Sequence, residues 1–230
     1  MSHGVSAQLL DLACGVFLLC AVVVLWRREL SVLVRVLAVQ GVALAAIAAV
    51  LGAHERRWGL LVVAAGVGVL RAGVLPYLLR RALDGGPHRG SYREDVSEGR
   101  ETRPVVNVAA SLVVAALLVL LAYAAARPLV ALDPTPATRA LPVGLSVVLL
   151  GFFVLVARRR AIAQVVGFLT LDNGITATAF LATSGVPPIV ELGVSFDVLL
   201  AVLVLHMLTT RMRAAFGGTD LDDLRELSDR

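Results

Sequence analysis

The chain has 230 residues, 58% of them hydrophobic, and a mean hydropathy of +0.86. A water-soluble domain of that size needs polar cover for its own surface, so the composition excludes one and leaves a bilayer as the apolar solvent. The net charge of +4 does not point to nucleic acid, because all 21 basic residues are arginine and they cluster between apolar runs, as in positively charged cytoplasmic loops.

The apolar runs are continuous in Leu, Val and Ala and about 20 residues long, the length a helix needs to cross the hydrocarbon. Strands of an outer-membrane barrel would alternate and carry aromatic girdles, whereas aromatic residues make up 5% here. The expected fold is therefore all-α, a polytopic transmembrane helical bundle of about seven spans. The first runs from Val5 to Trp26. Met1 to Leu10 contains no Lys or Arg, so the charged start of a secretory signal is missing and this run is expected to be retained as a helix. The second runs from Leu30 to Leu51 and the third from Trp58 to Leu79. Arg80 to Arg103 reads as an exposed loop, with Gly85, Gly86 and Pro87 among mixed charges. The fourth span is Val105 to Ala126. The fifth, Leu141 to Val156, looks short and extends back toward Thr138. The sixth is Ala161 to Ala182 and the seventh Pro188 to Met212.

Arginine placement orients the bundle. The odd loops carry Arg27 and Arg28, then Arg80 through Arg103, then Arg158, Arg159 and Arg160, and the tail carries Arg211 and Arg213. The even loops are poorer, and Thr183 to Pro187 has none. The positive-inside rule puts the odd loops and the C-terminus in the cytoplasm and the N-terminus outside, in a cell membrane. An odd number of spans agrees. In the tail after Gly218, Thr219 can cap a short helix with Leu221, Leu224 and Leu227 on one face; a frayed, solvated tail is the alternative.

Cys14 and Cys20 both fall in the first span, without a CxxC or Cys/His cluster. Iron–sulfur and nickel sites need several thiolates, so no metal, cofactor or catalytic redox site is expected in this chain. The cysteines read as small apolar packing residues.

An ionisable residue mid-span costs about 2.5–3.5 kcal/mol on insertion scales and is a functional candidate by default. Asp172 sits near the middle of the sixth span, followed by Asn173 and Gly174, and Asp197 sits inside the seventh. Counted from the connecting turn, both lie roughly 14 Å from the outer end of their helices. Two antiparallel neighbours would hold them at similar depth, where they either pass a proton or only fix packing. Glu191, six residues before Asp197, lies about 120° round the helix. It joins the path or is simply solvated at the interface. His206 lies about 13 Å further in, on the opposite side of the helix from Asp197, and either continues a proton path or packs against a partner. Arg71 lies past the middle of the third span. It pairs with an acidic group on a neighbouring helix or snorkels inward, helped by a kink at Pro76. Asp11 and Gln40 are weaker candidates, with Asp11 one conceivable partner for Arg71.

The segment Gln164-Val-Val-Gly-Phe-Leu-Thr-Leu-Asp-Asn-Gly174, followed by Pro187-Pro-Ile-Val-Glu-Leu-Gly-Val-Ser-Phe-Asp197, resembles the component E family of membrane-bound hydrogenase-4. The C-terminal three helices of that family are similar to the K-type subunit of respiratory complex I and to the C subunit of multisubunit sodium/proton antiporters. Gly167 and Asn173 match the K-type pattern, Gly174 completes the Asn-Gly of component E, and Asp197 falls on an intramembrane carboxylate of the K-type subunit's last helix. The K-type subunit's earlier carboxylate corresponds to Leu169 here, with Asp172 a displaced substitute. The match covers roughly residues 158–213.

The resemblance implies a division into residues 1–126, four helices including the cytoplasmic loop 80–103, then a K-type-like region, 138–213, then a cytoplasmic tail, 214–230. It implies a non-catalytic membrane subunit of a complex-I-like, hydrogenase-type respiratory complex, supplying carboxylates to proton or cation translocation. Nickel–iron and iron–sulfur centres would sit in partner subunits, and antiporter-like membrane subunits would be its neighbours. Competing expectations are a cation/proton antiporter subunit without redox partners, a standalone small transporter, for which no convincing repeat is visible, and a scaffold without an ion path.

Overall fold

A computed structural model describes residues 3–27, 29–54, 58–84, 108–158 and 161–183. Within them the chain is helical, with no β-strand. Helix α1 spans His3–Trp26 and α2 spans Leu30–His54. Helix α3, Trp58–Val67, passes through a π-helical segment, Gly68–Val74, into α4, Leu75–Asp84. Then come α5, Val108–Leu132, α6, Pro136–Ala157, and α7, Ala161–Thr183. Taking α3, the π segment and α4 as one rod, six helices among the described residues are long and apolar enough to cross a membrane. The expected seventh span, the tail and most of the loop at 80–103 lie outside the described residues.

Three boundaries differ from the sequence expectation. The third span does not end at Leu79: Arg80 and Arg81 stay helical, and α4 reaches Asp84, because no residue from Arg80 to Asp84 is a proline or glycine. The fourth helix, Val108–Leu132, passes the expected end at Ala126, with Pro128 inside its exposed end. The fifth starts earlier, at Pro136. Thr135 caps it, its Oγ1 accepting from the Thr138 N–H at 3.1 Å while Thr138 Oγ1 accepts from the Thr135 N–H at 2.9 Å. Pro136 follows at the first helical position, where its missing N–H costs nothing.

Helices α1, α2, α6 and α7 form the centre of the bundle. Helix α2 touches α1, the α3–α4 rod and α7, and α6 touches α1, α5 and α7. Phe17, Leu44, Ile47, Leu150 and Phe180 fill the space between them with no exposed surface. A smaller cluster, Val34, Leu37, Leu75, Leu79, Val165 and Leu169, joins α2, α4 and α7. The outer faces remain apolar: Leu12, Leu19 and Trp26 on α1 and Leu117, Leu120 and Leu121 on α5 are exposed. On a soluble protein such surface would aggregate; here it fits hydrocarbon.

The tightest seam runs between α6 and α7 and is built on glycine. Gly144 and Gly151 on α6, and Gly167 and Gly174 on α7, each recur after seven residues, two helical turns, so each pair stays on one face. A Cβ at Gly174 would lie 2.5 Å from the Val148 nitrogen, one at Gly167 would lie 2.8 Å from the Leu155 nitrogen, and one at Gly151 would strike Leu171. Small residues that let backbones meet are how helices associate in lipid, where apolar burial gives little drive.

A buried arginine closes another corner. Arg158, just after α6, donates from one guanidinium nitrogen toward the carbonyls of Val24 at 3.0 Å, Leu25 at 3.2 Å and Arg27 at 2.9 Å. These groups end α1, where carbonyls lack helical partners and the helix dipole favours a cation.

Candidate functional site

The π segment arises beside Pro76. Proline has no N–H and its ring crowds the carbonyl four residues back, here Ala72, so an α-helical path through 72–76 is obstructed. The widened turn avoids the clash, and the Leu75 N–H instead reaches back five residues to the Leu70 carbonyl. Arg71 lies inside this wide turn. Opposite it on α2 stands Gly41, where a Cβ would lie 2.7 Å from the Arg71 carbonyl carbon.

Arg71 is 2% exposed and crosses to α7. Its Nη1 lies 2.7 Å from Asp172 Oδ2 and donates to Asn173 Oδ1 at 2.6 Å. Its Nη2 donates to Thr176 Oγ1 at 2.8 Å. Asn173 Nδ2 then donates to Gln40 Oε1 on α2 at 3.2 Å. Gln40 has no exposed surface, and its Nε2 has no hydrogen-bond partner among the described residues. Three elements, α2, the π segment and α7, thus meet in one polar centre.

Its depth follows from chain position. Gln40, Arg71, Asp172 and Asn173 each lie within about two residues, or 3 Å of rise, of the midpoint of their spans. A charge there is tolerable only with a partner, and the Arg71–Asp172 pair cancels in charge while Asn173 and Thr176 share the guanidinium's donors. Spacing on α7 makes this possible: Asp172 and Thr176 are one turn apart on one side of the helix, with Asn173 beside them.

Of the two readings open for Arg71, the structure takes the ion pair, and Asp172 is the partner. Asp11 lies on an exposed part of α1. Gly167 and Gly174 belong to the α6–α7 seam, Asn173 to the polar centre. Asp197, Glu191 and His206 lie outside the described residues. Cys14 and Cys20 are buried on α1 against the core, as packing residues are. Sequence reasoning did not single out Thr176, although its spacing of four from Asp172 was a usable signal. Gly41 and the capping role of Arg158 gave none, since both depend on which helices meet.

Over 229 residues, 100% of both chains, the sequence is 47% identical to the uncharacterized protein Rv0085 of Mycobacterium tuberculosis strain H37Rv. The chain belongs to the Rv0085 family. This Rv0085-family chain is also 31% identical to hydrogenase-4 component E of Escherichia coli K12, and equally to that of Shigella flexneri, over 113 residues. That stretch is 49% of this chain and 52% of theirs, so the relation to component E is distant and partial. No family model and no solved structure matches the Rv0085-family chain. Its apolar helices and its likeness to component E make it a multi-pass membrane protein.

Proposed function

We propose that the chain is a non-catalytic membrane subunit of a complex-I-like, hydrogenase-4-type respiratory complex, and that the Arg71 centre lies on its route for moving protons or cations. The observation that carries the reading is the ion pair between Arg71 and Asp172 at mid-membrane depth, in a chain partly similar to hydrogenase-4 component E. On this reading the chain crosses the cell membrane seven times, N-terminus outside and C-terminus in the cytoplasm, with residues 188–212 as the last span. Residues 138–213 are the K-type-like part. Asp197, Glu191 and His206 extend the polar route from Asp172. Antiporter-like subunits are its membrane neighbours, and nickel–iron and iron–sulfur centres belong to partner subunits.

A carboxylate held by an arginine inside a bilayer accepts a proton as the pair loosens and gives it up as the pair tightens, so redox-driven movement of a neighbour can be converted to proton transfer there. A second reading, a packing lock without an ion path, draws on the same geometry, because Arg71 is well supplied with acceptors.

One experiment separates them. Cells lacking the chain are complemented with wild type, Asp172→Asn or Asp197→Asn, and inverted membrane vesicles are assayed for respiration-driven ion uptake. Asparagine keeps an oxygen for Arg71 to bond. Both variants are expected to copurify with antiporter-like and nickel–iron-type subunits while ion uptake falls tenfold or more. Full coupling in Asp172→Asn leaves only the packing lock. A wild-type chain that purifies alone and monomeric overturns membership in the complex.

A further inference from the structure

We propose that Arg71 sets the ion specificity of the polar centre: it fills the position a metal cation would need, so the centre takes up a proton and excludes sodium and other alkali cations. The proposal rests on the reading that the centre lies on an ion route. Three kinds of oxygen converge there: a carboxylate, an amide carbonyl and a hydroxyl. These are the groups that hold hard cations. Here Asp172 Oδ2, Asn173 Oδ1 and Thr176 Oγ1 lie 2.7, 2.6 and 2.8 Å from guanidinium nitrogens. Each faces a positive charge that does not deprotonate in proteins. A metal ion drawn to the same oxygens would sit within about 4 Å of that charge. At an effective dielectric constant near 20 the repulsion weakens binding on the order of a thousandfold.

Gln40 points the same way independently. It is wholly buried, spends its oxygen on Asn173, and leaves an N–H donor without a partner among the described residues. A donor recruits an acceptor, such as the oxygen of a water molecule, and repels a metal cation. The centre is thus rich in donors. A proton needs no oxygen shell. It bonds to one lone pair of the Asp172 carboxylate, converting it to the acid, and leaves by breaking that same bond, with nothing oxidised, reduced or displaced.

The test is radioactive sodium binding to the full-length chain, with any subunits that copurify, in lipid nanodiscs. Wild type is expected to show no saturable binding that Asp172→Asn removes, up to about 100 mM sodium, given a repulsion of the size above. Arg71→Gln vacates the cation position. Where this variant retains wild-type helicity by circular dichroism, it is expected to gain saturable sodium binding at least about tenfold tighter, which adding Asp172→Asn abolishes. Saturable sodium binding by wild type that Asp172→Asn abolishes overturns the proposal, and so does a folded Arg71→Gln variant that binds no better than wild type. The wild-type comparison stands even where Arg71→Gln does not fold. Failure here leaves the vesicle uptake result untouched, so a wrong ion and a wrong function are told apart.

Discussion

Gly41 and Arg71 are in backbone contact across two helices: a Cβ on Gly41 would lie 2.7 Å from the Arg71 carbonyl carbon and 2.8 Å from its oxygen. The reach of Arg71 to α7 is therefore set partly by the absence of one carbon on α2. Gly41→Ala is expected to push the π segment outward and lengthen the Arg71–Asp172 contact, at a cost of about 1–3 kcal/mol, as overpacking usually does. Gly66→Ala, with nothing within 4 Å of its added carbon, is expected to be neutral or stabilising by up to about 1 kcal/mol. Equilibrium unfolding in mixed detergent micelles compares them.

The Arg71–Asp172 pair predicts strong non-additivity. Removing either partner alone leaves a charge in an apolar interior, so Arg71→Leu and Asp172→Leu are each expected to destabilise by about 3–5 kcal/mol. The double variant removes both charges and is expected to cost less than the sum of the two. A double-mutant cycle on thermal or denaturant unfolding measures this; simple additivity would mean that the two residues do not act as a pair.

Arg158 offers a prediction about a helix end. Arg158→Ala strips bonds from the Val24, Leu25 and Arg27 carbonyls and is expected to cost about 1–3 kcal/mol. Arg158→Lys keeps the charge but not the guanidinium fork, so it is expected to recover only part of the loss. Hydrogen exchange at the end of α1 should rise in the order wild type, Lys, Ala; equal exchange in all three would show that the cap contributes nothing.

The glycine seam predicts a graded response. Gly151→Val places a branched side chain where even a Cβ strikes Leu171, and is expected to part α6 from α7 and abolish stable purification. Gly15→Val has open space around it and is expected to purify normally. A size-exclusion profile distinguishes the two.

Much of the fold was legible because lipid imposes one simple requirement, a long apolar helix, and each described span lies close to a run of Leu, Val and Ala. The boundary misses came from residues that work locally. Thr135 and Pro136 start α6 by capping, and Arg80 and Arg81 continue a helix despite their charge. The candidate site was half legible. The price of charge in a membrane marks Arg71 and Asp172 in isolation, and a second such residue on another helix makes pairing the natural reading. That Asp172 rather than Asp11 is the partner depends on which helices touch. The π turn is set by a local clash at Pro76 combined with room provided by Gly41, on another helix, and no local pattern carries that combination.

The ion pair also has a history in time. Arg71 and Asp172 are separated by about 100 residues, and at synthesis rates of about 5–20 residues per second Asp172 is made some 5–20 seconds after Arg71. During that interval the newly made third span carries a positive charge at mid-depth, and Asp172 does not yet exist to pair with it. Its entry into the lipid is therefore a step of biogenesis that benefits from delay or shelter, and the arrival of α7 supplies Asp172.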